Sequence, residues 1–169
     1  FDVFKIGVGP SSSHTLGPWK AAAQFIEMCK KDDLIQDGLK IIVSLYGSLS
    51  LTGRGHATDL AVVMGLAGYD PVTVDTSAIP AIIEAIKTDK KLKIDAMSID
   101  FDPESDIRFE NEFLPYHANG MIFIAEQTNG NVFSKTFYSI GGGFIIWEGE
   151  EMSSFEKCPR SSIPNSKFY

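Results

Sequence analysis

The segment GMIFIAEQTNGNVFSKTFYSI, residues 120–140, constrains the fold more than any other stretch of the chain. Two runs of alternating apolar and polar residues flank Asn129-Gly130, a dipeptide suited to the positive φ angles of a tight turn. An antiparallel hairpin is therefore expected, running directly into Gly141-Gly142-Gly143. The other segments surround it without a regular strand–helix–strand alternation. Apolar residues Ala21, Ala22, Phe25, Ile26 and Cys29 recur at helical spacing, so a helix is expected from about Leu16 to Lys31, with Pro18 tolerated in its first turn. Residues 39–48 are β-branched and read as a strand, followed by the glycine-rich elbow TGRGHATD. Further helices are expected from about Asp59 to Leu66, stopping near Gly68, and from Ser77, as N-cap, to about Lys87 with Glu84 and Lys87 on the wet face. Residues 91–102 read as a strand that IRFENEFL extends or pairs with. The fold class expected is α+β, a mostly antiparallel sheet with helices packed on it.

Composition narrows the function. The chain has 169 residues, 44% hydrophobic, which suits one domain with a single core. Its net charge of -7 argues against sequence-independent nucleic-acid binding, which needs a cationic surface. The sequence has no apolar run long enough to span a membrane. Cys29 and Cys158 are too few for a disulfide framework and too far apart for a zinc knuckle, so a reducing cytoplasm is the expected compartment. The chain opens at Phe1 without a methionine and is expected to be a fragment or a processed chain. Residues 1–148 are expected to form the domain, and the polar stretch 149–169, with Pro159 and Pro164, a linker or tail.

Chemistry concentrates in four segments. All three histidines, His14, His56 and His117, lie in turn-like stretches of small or polar residues, where sites are disproportionately found. Ser11-Ser12-Ser13-His14-Thr15 precedes a helix, and its hydroxyls and free N–H groups suit either an anion or ordinary capping by Ser13 or Thr15. Gly47-Ser48 and Thr52-Gly53-Arg54-Gly55-His56-Ala57-Thr58-Asp59 contain neither a dinucleotide fingerprint nor a P-loop. Arg54 is either a carboxylate partner or simply exposed; Asp59 either orients His56 or opens the helix. Tyr116-His117-Ala118-Asn119-Gly120 joins a titratable base to an amide that suits a carboxylate, although Asn-Gly is also plain turn chemistry. Tyr138-Ser139-Ile140 leads into the three glycines, which suit either a strand exit or close approach to a ligand or another domain.

The segments PSSSHTLGP, LYGSLSLTGRGHATD, LPYHANGM and YSIGGGF, in this order, closely resemble the iron–sulfur-dependent L-serine dehydratase (L-serine ammonia-lyase) family over Phe1 to about Trp147. The resemblance implies the β-type domain or subunit of a lyase of amino-acid catabolism that feeds gluconeogenesis by converting L-serine to pyruvate and ammonia. It also implies a fold similar to the allosteric substrate-binding domain of phosphoglycerate dehydrogenase. The cofactor implied is a 4Fe-4S cluster whose open iron polarises the substrate hydroxyl, without pyridoxal phosphate. Such a cluster normally takes four thiolates, so its ligands are expected on a partner α-type domain or subunit outside this chain, and the fragment alone is expected to be inactive. The other partners expected are L-serine and further copies in a homo-oligomer, with no nucleic acid and no membrane.

Carried over by motif, His117 is expected to take the α-proton and His56 to assist the leaving hydroxyl, and the two are interchangeable in this reading. Asn119 is expected to hold the substrate carboxylate. Ser11, Ser13, His14, Thr15 and Thr58 would line the pocket, and Tyr138 would contact the ligand or a tail segment. Ala57 stands where the family pattern has glycine, a change of one methyl group that activity should survive. A serine- or anion-sensing module without catalysis is the alternative, because fold does not fix function. A zinc hydrolase is disfavoured by the lack of any close His-x-x-x-His pair.

Overall fold

The computed structural model describes residues 12–53 and 57–148. Its centre is a five-stranded sheet in the order β4-β1-β5-β6-β7, built from β1 (Lys40–Leu45), β4 (Ile107–Phe109), β5 (Gly120–Glu126), β6 (Val132–Gly141) and β7 (Phe144–Glu148). Only β1 and β4 pair in parallel; the other three pairings are antiparallel, so the α+β expectation holds. The β5–β6 hairpin forms as expected, with Gly120 opposite Tyr138 and Glu126 opposite Val132. Of the turn dipeptide only Gly130 takes a positive φ, of 94°; Asn129 instead accepts the Asn131 N–H on its side chain. The turn is thus longer than a two-residue loop. The three glycines do more than release a strand. Their φ angles of 101°, 63° and 80° turn the chain back so that Phe144–Glu148 adds an edge strand.

Alternation along β5 buries Met121, Phe123 and Ala125, and α1 (Gly17–Lys31) covers that face. Phe25 of α1 stacks on Phe123 and Phe133, with ring centroids 5.3 and 5.6 Å apart, the geometry that offset aromatic pairs favour. Burying a side chain of this kind contributes about 1.5–3 kcal/mol. Helix α3 (Thr58–Leu66) packs along α1 and is buried over most of its circumference, as its run of apolar residues requires. No helix among the described residues is long and apolar enough to cross a membrane.

Four expectations are corrected. The stretch before α1 is not a loose turn: Ser12–Leu16 is a wide π-type helical turn continuous with α1. The first strand stops at Leu45, because Gly47, with a φ of 59°, turns the chain into a short helix, α2 (Gly47–Gly53). Ser and Thr are weak helix formers, so the sequence hides this helix; Thr52 bonds back to the Ser48 carbonyl within it. Residues 91–102 are two strands, β2 (Lys91–Ile94) and β3 (Met97–Asp100), folded on themselves at Asp95, whose φ is 54°. The following Ile107–Phe109 therefore pairs with β1 rather than with them. Finally, α4 (Ile79–Asp89) is entered through a tight turn, Thr76–Ala78, capped by Asp75 rather than by Ser77. A fifth helix, α5 (Pro103–Asp106), precedes β4. The expected tail, 149–169, lies outside the described residues.

Candidate functional site

The four motifs converge on the sheet end where β1 finishes and β5 begins. Leu45 pairs with Met121, and the Tyr46 N–H reaches the Gly120 carbonyl at 2.9 Å. At Gly47 a Cβ would lie 2.2 Å from the Ala118 carbonyl oxygen, so only glycine lets the two segments come this close. The Ser48 N–H then donates to that carbonyl at 2.8 Å, and the Gly47 N–H to the Glu112 carbonyl at 2.9 Å. These backbone bonds tie the Tyr116–Gly120 motif to the start of α2.

His14 projects from the π-type turn toward the same place. Its Nε2 lies 3.2 Å from Ser48 Oγ and its Nδ1 2.9 Å from Ser13 Oγ. Burial holds its pKa below the ordinary histidine value, with the Ser48 contact opposing that shift. A neutral imidazole between two hydroxyls follows. Thr58, 1% exposed at the start of α3, donates its hydroxyl to the His14 carbonyl at 2.6 Å. Thr15 is buried in the same turn.

Ser139 joins the entrance of α1 to the sheet. Its hydroxyl donates to the Ser13 carbonyl at 2.7 Å, its N–H donates to the Asn119 carbonyl at 3.0 Å, and its own carbonyl accepts from Asn119 Nδ2 at 3.0 Å. One of the two Asn119 amide protons is thereby engaged, and the second is directed elsewhere. The Asn119 N–H donates to His117 Nδ1 at 3.0 Å. That nitrogen must carry a lone pair, so the ring proton of neutral His117 resides on Nε2. Tyr138 is 2% exposed; its hydroxyl donates to Glu148 at 2.7 Å and its ring lies 5.0 Å from that of Tyr116. Burial and the Glu148 charge push the Tyr138 pKa well up, so its hydroxyl stays protonated.

The structure thus brings together Ser13, His14, Thr15, Thr58, His117, Asn119 and Tyr138. Ser11, Arg54 and His56 lie outside the described residues. Sequence reasoning placed Ser48 and Ser139 within the motifs without giving them a role, and put Glu148 only at the start of the polar tail. A Gly-Ser pair directly after a strand was the available signal for Ser48; nothing local pointed to Glu148. Among the described residues no group of three or more His, Cys, Asp and Glu is placed to hold a metal ion. Cys29 is buried in the core, its thiol pushed up to about 12 by burial and by Asp32. The described residues therefore do not fit the ligand set of an iron–sulfur cluster.

The family described as serine dehydratase beta chain matches residues 1–150. The chain is 48% identical to L-serine dehydratase 1 of Escherichia coli (strain K12) over 97% of its own length and 36% of that protein. It is 47% identical to the L-serine dehydratase of Haemophilus influenzae over 94% of its length and 36% of that protein. With the L-serine dehydratase of Streptomyces coelicolor it shares 42% identity over 88% of its length and 33% of that protein. The chain spans about a third of the length of these relatives.

Proposed function

The chain belongs to the serine dehydratase beta-chain family, and from that premise we propose that it forms the substrate-shaping half of an enzyme that deaminates L-serine to pyruvate and ammonia. The observation that carries this reading is the hydrogen-bond chain from Ser48 through His14 to Ser13, Ser139, Asn119 and His117, which links all four motifs at one sheet end. The relatives' shared name gives the binding-only alternative no support.

The reaction needs three things of a protein: a grip on the carboxylate, a base for a weakly acidic α-proton, and a proton for the departing hydroxyl. Asn119 supplies the first through its remaining amide proton, beside Ser13 and the N–H groups of the π-type turn; Ser11, outside the described residues, keeps its assignment to this pocket by motif alone. Thr15 and Thr58 pack the wall behind them, and Tyr138 backs the loop that carries Asn119. The tautomer of His117 favours the exchanged assignment of the two histidines. With its proton on Nε2, His117 hydrogen-bonds the leaving hydroxyl, while His56 takes the α-proton and, as the imidazolium so formed, returns it to that hydroxyl so that water departs. Loss of water leaves an aminoacrylate, which tautomerises and hydrolyses to pyruvate and ammonia.

The four thiolates that a 4Fe-4S cluster normally takes would come from a partner α-type domain, and a cluster held there would supply the remaining polarisation of the hydroxyl. Support for such a partner comes from the site's rim. Leu51, Phe113, Tyr116 and Phe144 are exposed large apolar residues around this end of the sheet, at 74%, 58%, 56% and 55% of their surface. An apolar rim of this kind marks a surface that another domain covers.

The test is pyruvate release under anaerobic conditions by the complete enzyme, comparing L-serine with β-chloro-L-alanine, whose chloride leaves without a proton. His56→Ala should lose both substrates by several orders of magnitude. His117→Ala should lose L-serine by about a hundredfold to a thousandfold, the usual range for removing one preorganised hydrogen-bond donor, and recover on the chloro compound. If the chloro compound rescues His56→Ala and not His117→Ala, the two roles belong the other way round. If both variants turn over L-serine normally, the site is elsewhere.

A further inference from the structure

Tyr138 and Glu148 sit on one face of the β6–β7 pair. Tyr138 lies opposite Ile146, which makes Glu148 its diagonal neighbour two residues on. The Tyr138 hydroxyl donates to Glu148 at 2.7 Å, and its oxygen also meets the backbone N–H of Tyr116. The Tyr138 ring lies against the Tyr116 ring, 5.0 Å between centroids and tilted by 51°. Tyr116 immediately precedes His117. From the other side of the same strand, the backbone of Ser139 grips Asn119 through two bonds of 3.0 Å. The segment 116–119, which crosses the end of the sheet outside any helix or strand, is thus clamped at both ends by two consecutive residues of β6.

One end of that clamp is a neutral backbone–amide pair. The other depends on a carboxylate, because Tyr138 keeps its orientation only while its single hydroxyl proton has an acceptor. In a half-buried setting a hydrogen bond to a charged acceptor is about twice as strong as a neutral one. We propose that Glu148 is a positioning residue for the deamination, acting through Tyr138 to hold the Tyr116 end of the loop, next to His117, while Ser139 holds Asn119 at the other end. This rests on the reading that His117 works on the substrate. Glu148 itself touches neither His117 nor Asn119, and it takes no part in the proton transfers.

The consequence is quantitative. Misplacing a reacting group by an ångström lowers a rate by about a hundredfold, while substrate affinity spread over several contacts changes little. In the complete enzyme, Glu148→Ala should lower kcat on L-serine by about tenfold to a hundredfold with KM within about threefold of wild type. Glu148→Gln, which keeps an acceptor oxygen, should recover part of that loss. Tyr138→Phe should behave as Glu148→Ala, and the double variant should be no worse than either, since both break one latch. Because the latch acts through the hydrogen-bond donor to the leaving hydroxyl, turnover of β-chloro-L-alanine should be impaired much less than that of L-serine in all three variants. Thermal midpoints and cluster content are measured alongside, to separate misplacement from unfolding.

A wild-type kcat for Glu148→Ala overturns the proposal, as does an equal loss on both substrates or a loss that matches the drop in folded, cluster-loaded enzyme. The underlying reading fails separately: it is His117→Ala, not Glu148→Ala, that would then turn over L-serine at the wild-type rate.

Discussion

Ser139 donates its hydroxyl to the carbonyl of Ser13, 126 residues earlier, at 2.7 Å. The bond exists because α1 comes within touching distance of β6 at Gly17. A Cβ on Gly17 would lie 1.9 Å from Ser139 Oγ and 2.7 Å from Ser139 Cβ. The helix entrance with its serines and His14 is therefore pinned to the strand that also holds Asn119.

Gly17→Ala should be destabilising, against the usual trend. In an unhindered helix the change stabilises by about 1 kcal/mol. At Gly17 the new methyl group overlaps a buried side chain, and overpacking of this kind costs about 1–3 kcal/mol. Combining it with Ser139→Ala removes the nearer clash and leaves the Cβ contact, so the double variant should recover part of the loss relative to the sum of the singles. Urea midpoints of the four proteins test this. A Gly17→Ala protein more stable than wild type would show that the helix and the strand can separate freely.

The two ends of this contact also show where sequence reasoning succeeded and failed. The hairpin 120–140 was legible because alternation and a turn dipeptide are local signals, and α1 because its apolar stripe repeats over many residues. Helix α2 was not, since Ser48, Ser50 and Thr52 carry little helical preference and the helix forms because Gly47 seats it on the Ala118 carbonyl. The β2–β3 hairpin was read as one strand because Asp95 turns the chain without a glycine. His117, Asn119 and His14 stood out by residue type and motif. Ser139 and Glu148 did not, because their roles exist only once β6 lies against α1 and β7. Long-range pairing of this sort leaves no periodic trace in a single sequence.

His14 gives the fold a predictable dependence on acid. Its pKa in the folded chain lies below its ordinary value of 6.5, mainly because it is buried. The unfolded chain therefore binds more protons than the folded one between those two values, and stability rises with pH across that window. The contribution is fully present above 6.5 and is lost as pH falls through the lower folded value. Moving from about pH 7.5 to about pH 5 should lower the urea midpoint of wild type more than that of His14→Gln, which has nothing to titrate at this position. Equal drops in the two proteins would mean that the His14 pKa is the same in the folded and unfolded chains.

Cys29 tests the separation between this domain and any iron–sulfur chemistry. It is fully buried on the core face of α1, and its thiol titrates at about 12 rather than at its ordinary 9.0. Thiolates, not thiols, ligate iron and react with alkylating reagents. At neutral to mildly basic pH this shift alone cuts the thiolate fraction by about a thousandfold, and burial removes access as well. In a Cys158→Ser variant, which leaves Cys29 as the chain's single thiol, labelling by iodoacetamide should therefore be negligible in the folded protein and complete within minutes in denaturant. If all the cluster thiolates lie on the proposed partner domain, the same variant joined to that domain should load a full complement of iron and sulfide. Rapid labelling of folded Cys29 would place it at the surface. Iron loading that falls when Cys158 or Cys29 is replaced would move part of the ligand set into this chain and overturn the proposal that a partner domain holds all of it.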